Sequence, residues 1–168
     1  PEVIRIELAR DMKQGQRERE RRIKTIRQNE ARRAAAAQQI REQTGVQNPS
    51  RDDILKVQLA DECNWICAYT GRSIAMHALV GQASQFDIEH IIPFSRSLDD
   101  SFLNKTLCYH EENRSRKGNR TPHEAYFGTE RWDTIIGAVS RFSGPCRDEK
   151  LRRFRMSPDE WEREKDRK

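Results

Sequence analysis

Asp87, Glu89 and His90 stand inside the strand-like run FDIEHII, residues 86–92. A strand that only filled a core would not carry them, because unpaired charges are costly to bury, and such a cluster either faces water or holds something positive. Asn104 and Asn113 follow, and Arg114, Arg116, Lys117 and Arg120 form a basic cluster beside them. These residue types fit hydrolysis of a phosphodiester, which needs a base to activate water, a cation to polarise the phosphate, and a scaffold that fixes both. A neutral imidazole supplies the base near neutral pH. Oxygen donors from Glu and Asn suit Mg²⁺, and Arg114, Arg116 and Lys117 suit phosphate contact. His77, His110 and His123 lack such company and are assigned no chemistry.

The elements that must position these residues read as strand, loop, strand, polar loop and short helix. CAYTGRSI, residues 67–74, reads as a strand edge with a tight turn at Thr70 and Gly71. Residues 86–92 form the second strand, closed by Pro93, and SRSLDDSFLNKT is a polar loop carrying Asn104. Glu111 to Lys117 is a short helix that carries Asn113 and ends at Gly118. In a regular strand Glu89 and His90 point to opposite faces, so one site uses both only where the strand bends or ends. Pro93 and the polar loop supply a place for such a distortion.

Outside this centre the chain is largely helical. Ser50 with Asp53 is a capping box that opens a compact domain, with Ile54 and Val57, and Leu55 and Leu59, at helical spacing. Thr121, Pro122 and Glu124 start another helix, Trp132 to Phe142 continues the pattern, and Ser157, Pro158 and Glu160 start a third. PEVIRIELARD alternates like a short strand. From Asp11 to Gln43 only Met12, Ile23, Ile26 and Ile40 are large and apolar, which predicts a long exposed or partner-dependent helix.

Length and charge bound the rest. The chain has 168 residues, 35% hydrophobic and 35% charged, enough for one compact domain with extensions. A net charge of +5 suits a polyanionic partner, and residues 10–42 hold eleven Lys or Arg against five Asp or Glu. No run reaches the length of a membrane span, and no secretory signal is seen near the start, so a cytoplasmic location is expected. The chain begins at Pro1 with no Met, which reads as a piece of a longer protein. Cys63, Cys67, Cys108 and Cys146 lack the spacing of a four-ligand set, so no structural zinc is expected.

The pattern DIEHIIPxSxxxDDSxxNKxL, continuing through NKTLCYHEENRSRKGNRTPHEAY, resembles the HNH nuclease domain of type II CRISPR RNA-guided DNA endonucleases, in the compact branch of that family. IRIELAR at the start is similar to the middle RuvC-like segment that precedes the HNH insertion there. The resemblance implies an α+β, mostly helical fold: a ββα-metal core with a two-stranded antiparallel sheet surrounded by helices. It makes His90 the general base, Glu89 and Asn113 ligands of one Mg²⁺, for which Mn²⁺ can substitute, and Asp87 a further or water-mediated ligand. Glu89 stands where most members carry Asp. Asn104 would tie the loop to the His strand, and Lys105 joins Arg114, Arg116 and Lys117 as contacts to nucleic acid.

The implied organisation is residues 1–12 from the RuvC-like segment, 13–49 a linker helix, 50–150 the nuclease domain and 151–168 a second linker. The implied substrate is the target DNA strand paired with guide RNA, with the remainder of a bacterial effector chain as partner and no membrane. The fragment is expected to be a monomer, with Glu7 inactive for want of its RuvC-like co-ligands. Two other classes share some of these features: a stand-alone HNH endonuclease of restriction or homing type, and a non-catalytic, zinc-stabilised nucleic-acid-binding module. IELAR argues against the first.

Overall fold

The computed structural model describes residues 2–81 and 84–165, with side chains from residue 15 onward within that span. Helix α1, Glu2–Thr44, replaces the short strand expected at the start. A strand needs a neighbour for its backbone hydrogen bonds, and the described strands pair only with each other. A helix satisfies those groups internally, and the Arg, Glu, Gln and Ala that follow propagate it cooperatively. The side chain of Glu7 lies outside the described residues.

Residues 15–35 of α1 are exposed throughout, Ile23 and Ile26 included. Its last turns differ: Ala36, Ala37 and Ile40 are buried. Gly45, at φ +76°, ends the helix by donating its N–H to Arg41 O at 3.0 Å. Helix α2, Arg51–Glu62, starts at the Ser50 and Asp53 capping box and buries Val57, Leu59 and Ala60 against α1.

The stretch 67–74 forms no strand. It is a turn, with Gly71 at φ +68° and a single bridge from Ile66 to Ser73. After α3, Met76–Leu79, comes β1, Phe86–His90, whose partner is β2, Lys105–Tyr109. The two are antiparallel, with Phe86 opposite Tyr109, Asp87 opposite Cys108, Glu89 opposite Thr106 and His90 opposite Lys105. The expected polar loop therefore gives its end to β2, where Thr106, Leu107, Cys108 and Tyr109 suit a half-buried pleated surface. Its beginning coils into α4, Phe94–Ser97, and a helical turn over Phe102–Asn104.

The Glu112–Lys117 helix and α2 both pack against β2. Helices α5, Pro122–Tyr126, α6, Trp132–Ser140, α7, Arg147–Arg155, and α8, Pro158–Lys165, follow. Phe86, Leu107, Ile135, Val139 and Phe154 join Ile40 in the main core, while Ile92, Met156 and Trp161 form a second cluster. Fully burying an aliphatic or aromatic side chain contributes about 1.5–3 kcal/mol. Ile40 and Phe154, from the two segments that composition marks as polar extensions, thus tie both ends to the centre. Glu62 and Lys150 form a buried ion pair between α2 and α7. The fold is α+β and mostly helical, with one two-stranded antiparallel sheet among the described residues. No helix among those residues is long and apolar enough to cross a membrane.

Candidate active site

The period-two geometry of β1 sorts its ionisable side chains onto two faces. Asp87 and Glu89 face the Glu112–Lys117 helix. Asp87 accepts from Asn113 Nδ2 at 3.1 Å and lies 3.1 Å from His110 Nε2 and 3.3 Å from Arg114 Nη2. Glu89 pairs with Lys117, and both side chains are buried, 7% and 1% exposed. Burial pushes the Glu89 carboxyl above its ordinary value, against the opposing pull of the Lys117 ammonium. Lys117 also donates to the backbone carbonyl of His90 at 3.1 Å.

His90 occupies the other face at the end of the strand. Its Nε2 lies 2.9 Å from Asp100 Oδ1. The same oxygen accepts from Lys105 Nζ at 2.8 Å, and Lys105 is the cross-strand partner of His90. Hydrogen bonds from Lys105 and then His90 hold the Asp100 carboxyl below its ordinary range. An ionised carboxylate can only accept, so Nε2 is the donor in this contact, and in the neutral form of the ring Nδ1 holds the free lone pair.

Asn104 fixes the loop between these parts. It is fully buried, accepts from Ile92 N at 2.9 Å, and donates to Ile92 O at 2.8 Å and Asp99 O at 2.9 Å. Its own carbonyl accepts from Ile91 N at 2.8 Å. The turn after β1 is thereby held against the start of β2. The Glu112–Lys117 helix is wound wide, with Gly118 N–H reaching Asn113 O five residues back at 2.7 Å, a geometry frequent at functional sites. Below it the buried Glu112 accepts from Tyr126 Oη at 2.7 Å and pairs with Arg131 at 2.8 Å.

The structure thus brings Asp87, Asn113 and Arg114 together, pairs Glu89 with Lys117, and joins His90 to Lys105 through Asp100. Arg114 and Arg116 are mostly exposed, whereas Lys117 is buried. The side chains of His90 and Glu89 remain apart, since no bend in β1 brings them to one face. Asp100 and His110 escape a reading by sequence. Asp100 could have been flagged as an acid in the loop that returns to the His strand, and His110 by lying three residues before Asn113.

A hard divalent ion prefers oxygen donors such as Asp87, Glu89 and Asn113. In this arrangement they do not fit one: the cations of Lys117 and Arg114 already engage both carboxylates. Among the described residues no group of three His, Cys, Asp or Glu stands where it could hold a metal ion.

Residues 67–123 match the family model for HNH endonucleases. That span contains the turn at Gly71, both strands, the Asn104 loop and the wide helix, so the whole site lies within the matched stretch. Over 70 residues the chain is 41% identical to CRISPR-associated endonuclease Cas9 1 of Streptococcus thermophilus, covering 42% of this chain and 6% of that protein. Over 85 residues it is 41% identical to CRISPR-associated endonuclease Cas9 of Campylobacter jejuni, covering 49% of this chain and 8% of that one.

Among solved structures, Streptococcus thermophilus Cas9 in complex with the AGAA PAM superimposes with a TM-score of 0.66 at 25% identity, over 81% of this chain and 14% of that chain. The Type II-C Cas9 of Actinomyces naeslundii shares the fold, with a TM-score of 0.62 at 19% identity over 82% of this chain and 15% of that chain. The chain is similar to the HNH endonuclease model over residues 67–123 and to part of each of these Cas9 proteins. It spans less than a tenth of the curated relatives it matches.

Proposed function

We propose that this chain is the HNH module of an RNA-guided effector, and that it hydrolyses the DNA strand paired with the guide RNA. The observation that carries this reading is the His90 and Asp100 pair, 2.9 Å apart, at the end of β1 inside the matched HNH span. Asp100 holds the His90 ring so that Nδ1 can take a proton from an attacking water. Asn104 keeps the loop that carries Asp100 against β2. The exposed Arg114 and Arg116 supply positive charge for the phosphate backbone, while Lys105 is engaged by Asp100.

The family reading adds Mg²⁺, with Mn²⁺ as substitute, on Asp87, Glu89 and Asn113. Because those donors are engaged by Lys117 and Arg114 here, no step of the reaction is derived through the ion. In this reading residues 50–150 are the nuclease domain, 13–49 and 151–168 connect it to the remainder of a bacterial, cytoplasmic effector, and 1–12 belong to its RuvC-like part. Sequence choice then rests with base pairing, as in RNA-guided recognition generally.

The test is cleavage of an end-labelled RNA–DNA heteroduplex by the chain with Mg²⁺ or Mn²⁺, against His90→Ala. The DNA strand should be cut by the parent and at a rate lower by about 10²–10⁴-fold in the variant. Equal rates would remove His90 from the role of base.

A further inference from the structure

We infer that Phe94 is a substrate contact of this site, seated against the deoxyribose next to the scissile phosphate and keeping that phosphate at His90. The inference rests on the reading of the chain as a nuclease that acts on a paired DNA strand.

Phe94 opens α4, directly after the buried Pro93 that closes the His strand. Its ring centroid lies 5.5 Å from that of His90, with the two planes tilted by 44°. The residue nevertheless stays 46% exposed, while Ile91 and Ile92 just before it are fully buried. Leu98, one turn further on, is 76% exposed. The proposed base therefore has an open apolar surface for a neighbour.

A solitary exposed apolar residue is ordinary on a protein surface. Phe94 differs in being held. Ser95 Oγ donates to Asn119 Oδ1 at 3.1 Å, Arg96 pairs with Glu124 at 2.8 Å, and Ser97 Oγ accepts from Asn104 Nδ2 at 3.4 Å. The three residues after Phe94 are thus tied to three other segments, so the ring is presented from a fixed base and little ordering is left to binding. The Ser95 bond also sets α4 beside the segment that carries the exposed Arg116 and Arg120, whose charge suits a phosphate backbone.

A strand laid across this surface with one phosphate at His90 brings the adjoining sugar to Phe94. In a paired strand the bases face their partners, and what remains for side chains is mainly phosphate and sugar. The apolar face of a deoxyribose suits a phenyl ring, and the contact carries no base preference. A cut whose place is set by pairing with a guide needs that neutrality. Phe94 moves no proton in this role; it limits how far the phosphate can slide from His90.

The test is NMR of the whole chain with ¹³C-labelled phenylalanine, bound to an RNA–DNA heteroduplex with a chelator present so that nothing is cut. The Phe94 ring should show nuclear Overhauser contacts to deoxyribose protons of the DNA strand. Shifts of the His90 and Arg116 amides without such contacts, or with contacts only to bases or to the RNA strand, overturn the inference alone. A heteroduplex that leaves both amides unmoved overturns the functional reading and the inference with it. Fluorescence anisotropy gives the second measurement. Affinity for the heteroduplex should fall roughly three- to tenfold in Phe94→Ala and recover in Phe94→Leu, which restores apolar surface. An affinity unchanged in Phe94→Ala sinks the proposed contact.

Discussion

His90 and Glu89 are adjacent in the chain, yet their side chains leave β1 in opposite directions, one to Asp100 at 2.9 Å and the other to a buried pair with Lys117. The backbone carbonyl of His90 joins the two halves, because Lys117 bonds it at 3.1 Å while holding Glu89. A change on the Glu89 face therefore reaches His90 through its own peptide group. Strand alternation separates the proposed base from the acids, and one lysine couples them again.

Asp100 orients His90 and also neutralises Lys105. Asp100→Asn would keep the shape and lose the obligate acceptor, so the ring would no longer be held with its proton on Nε2. Single-turnover cleavage should fall about 10–100-fold, with unchanged binding to a DNA heteroduplex. A rate within twofold of the parent would reduce Asp100 to a partner of Lys105.

Asn104 satisfies backbone groups on both sides of the turn. Asn104→Ala would leave Ile92 N, Ile92 O and Asp99 O without that amide in a buried place, and should lower stability by about 2–4 kcal/mol in urea unfolding. Asn104→Asp should be no better, since a carboxylate cannot donate to either carbonyl. A loss below roughly 1 kcal/mol would mean that water replaces the side chain easily.

Helix α1 changes character along its length. Ile40→Ala, at a fully buried position, should cost about 2–4 kcal/mol. Ile26→Ala, at a position 56% exposed, should stay within about 0.5 kcal/mol. Thermal melting of both variants compares them directly, and equal shifts would contradict the division of α1 into an anchored end and a free shaft.

Acid should loosen the contact between α7 and the loop after α4. Hydrogen bonds from Arg152 and then Arg153 hold Glu149 at about 2, against an ordinary 4.5. Burial alone would raise Asp99, but bonds from Ser101 and Arg153 bring it to about 2 from 3.8. Both groups have folded values below their unfolded ones, so their contribution is complete above about pH 4.5 and is lost as pH falls toward 2. Urea unfolding at pH 5 and pH 3 should show lower stability at pH 3, and Arg153→Ala should flatten that difference. An unchanged slope in the variant would sink the assignment.

Much of the site is legible along the chain. The set His90, Asn104 and Asn113 is read through the family resemblance, whereas the capping boxes at Ser50 and Thr121, the stop at Gly118 and the strand at Phe86 all follow from local chemistry. Each of the latter is set by a residue's own backbone preferences or by neighbours within one turn. The helix at the start was not legible, because alternation in IRIELAR describes a strand only when another strand lies beside it. Nor was β2, whose residues Lys105 and Thr106 look like the end of a polar loop until Glu89 and His90 stand opposite them.

The sequence by itself determined which ionisable and amide groups stand on and around β1 and the order in which they appear. Only the tertiary structure decided their company: that Lys117 turns inward to Glu89 while Arg114 and Arg116 stay exposed, that Asp100 returns to His90, and that Ile40 and Phe154 enter the core. Those outcomes depend on contacts between residues far apart in the chain. Their free energy comes from burial and charge pairing that do not exist until the sheet, the wide helix and α2 have met.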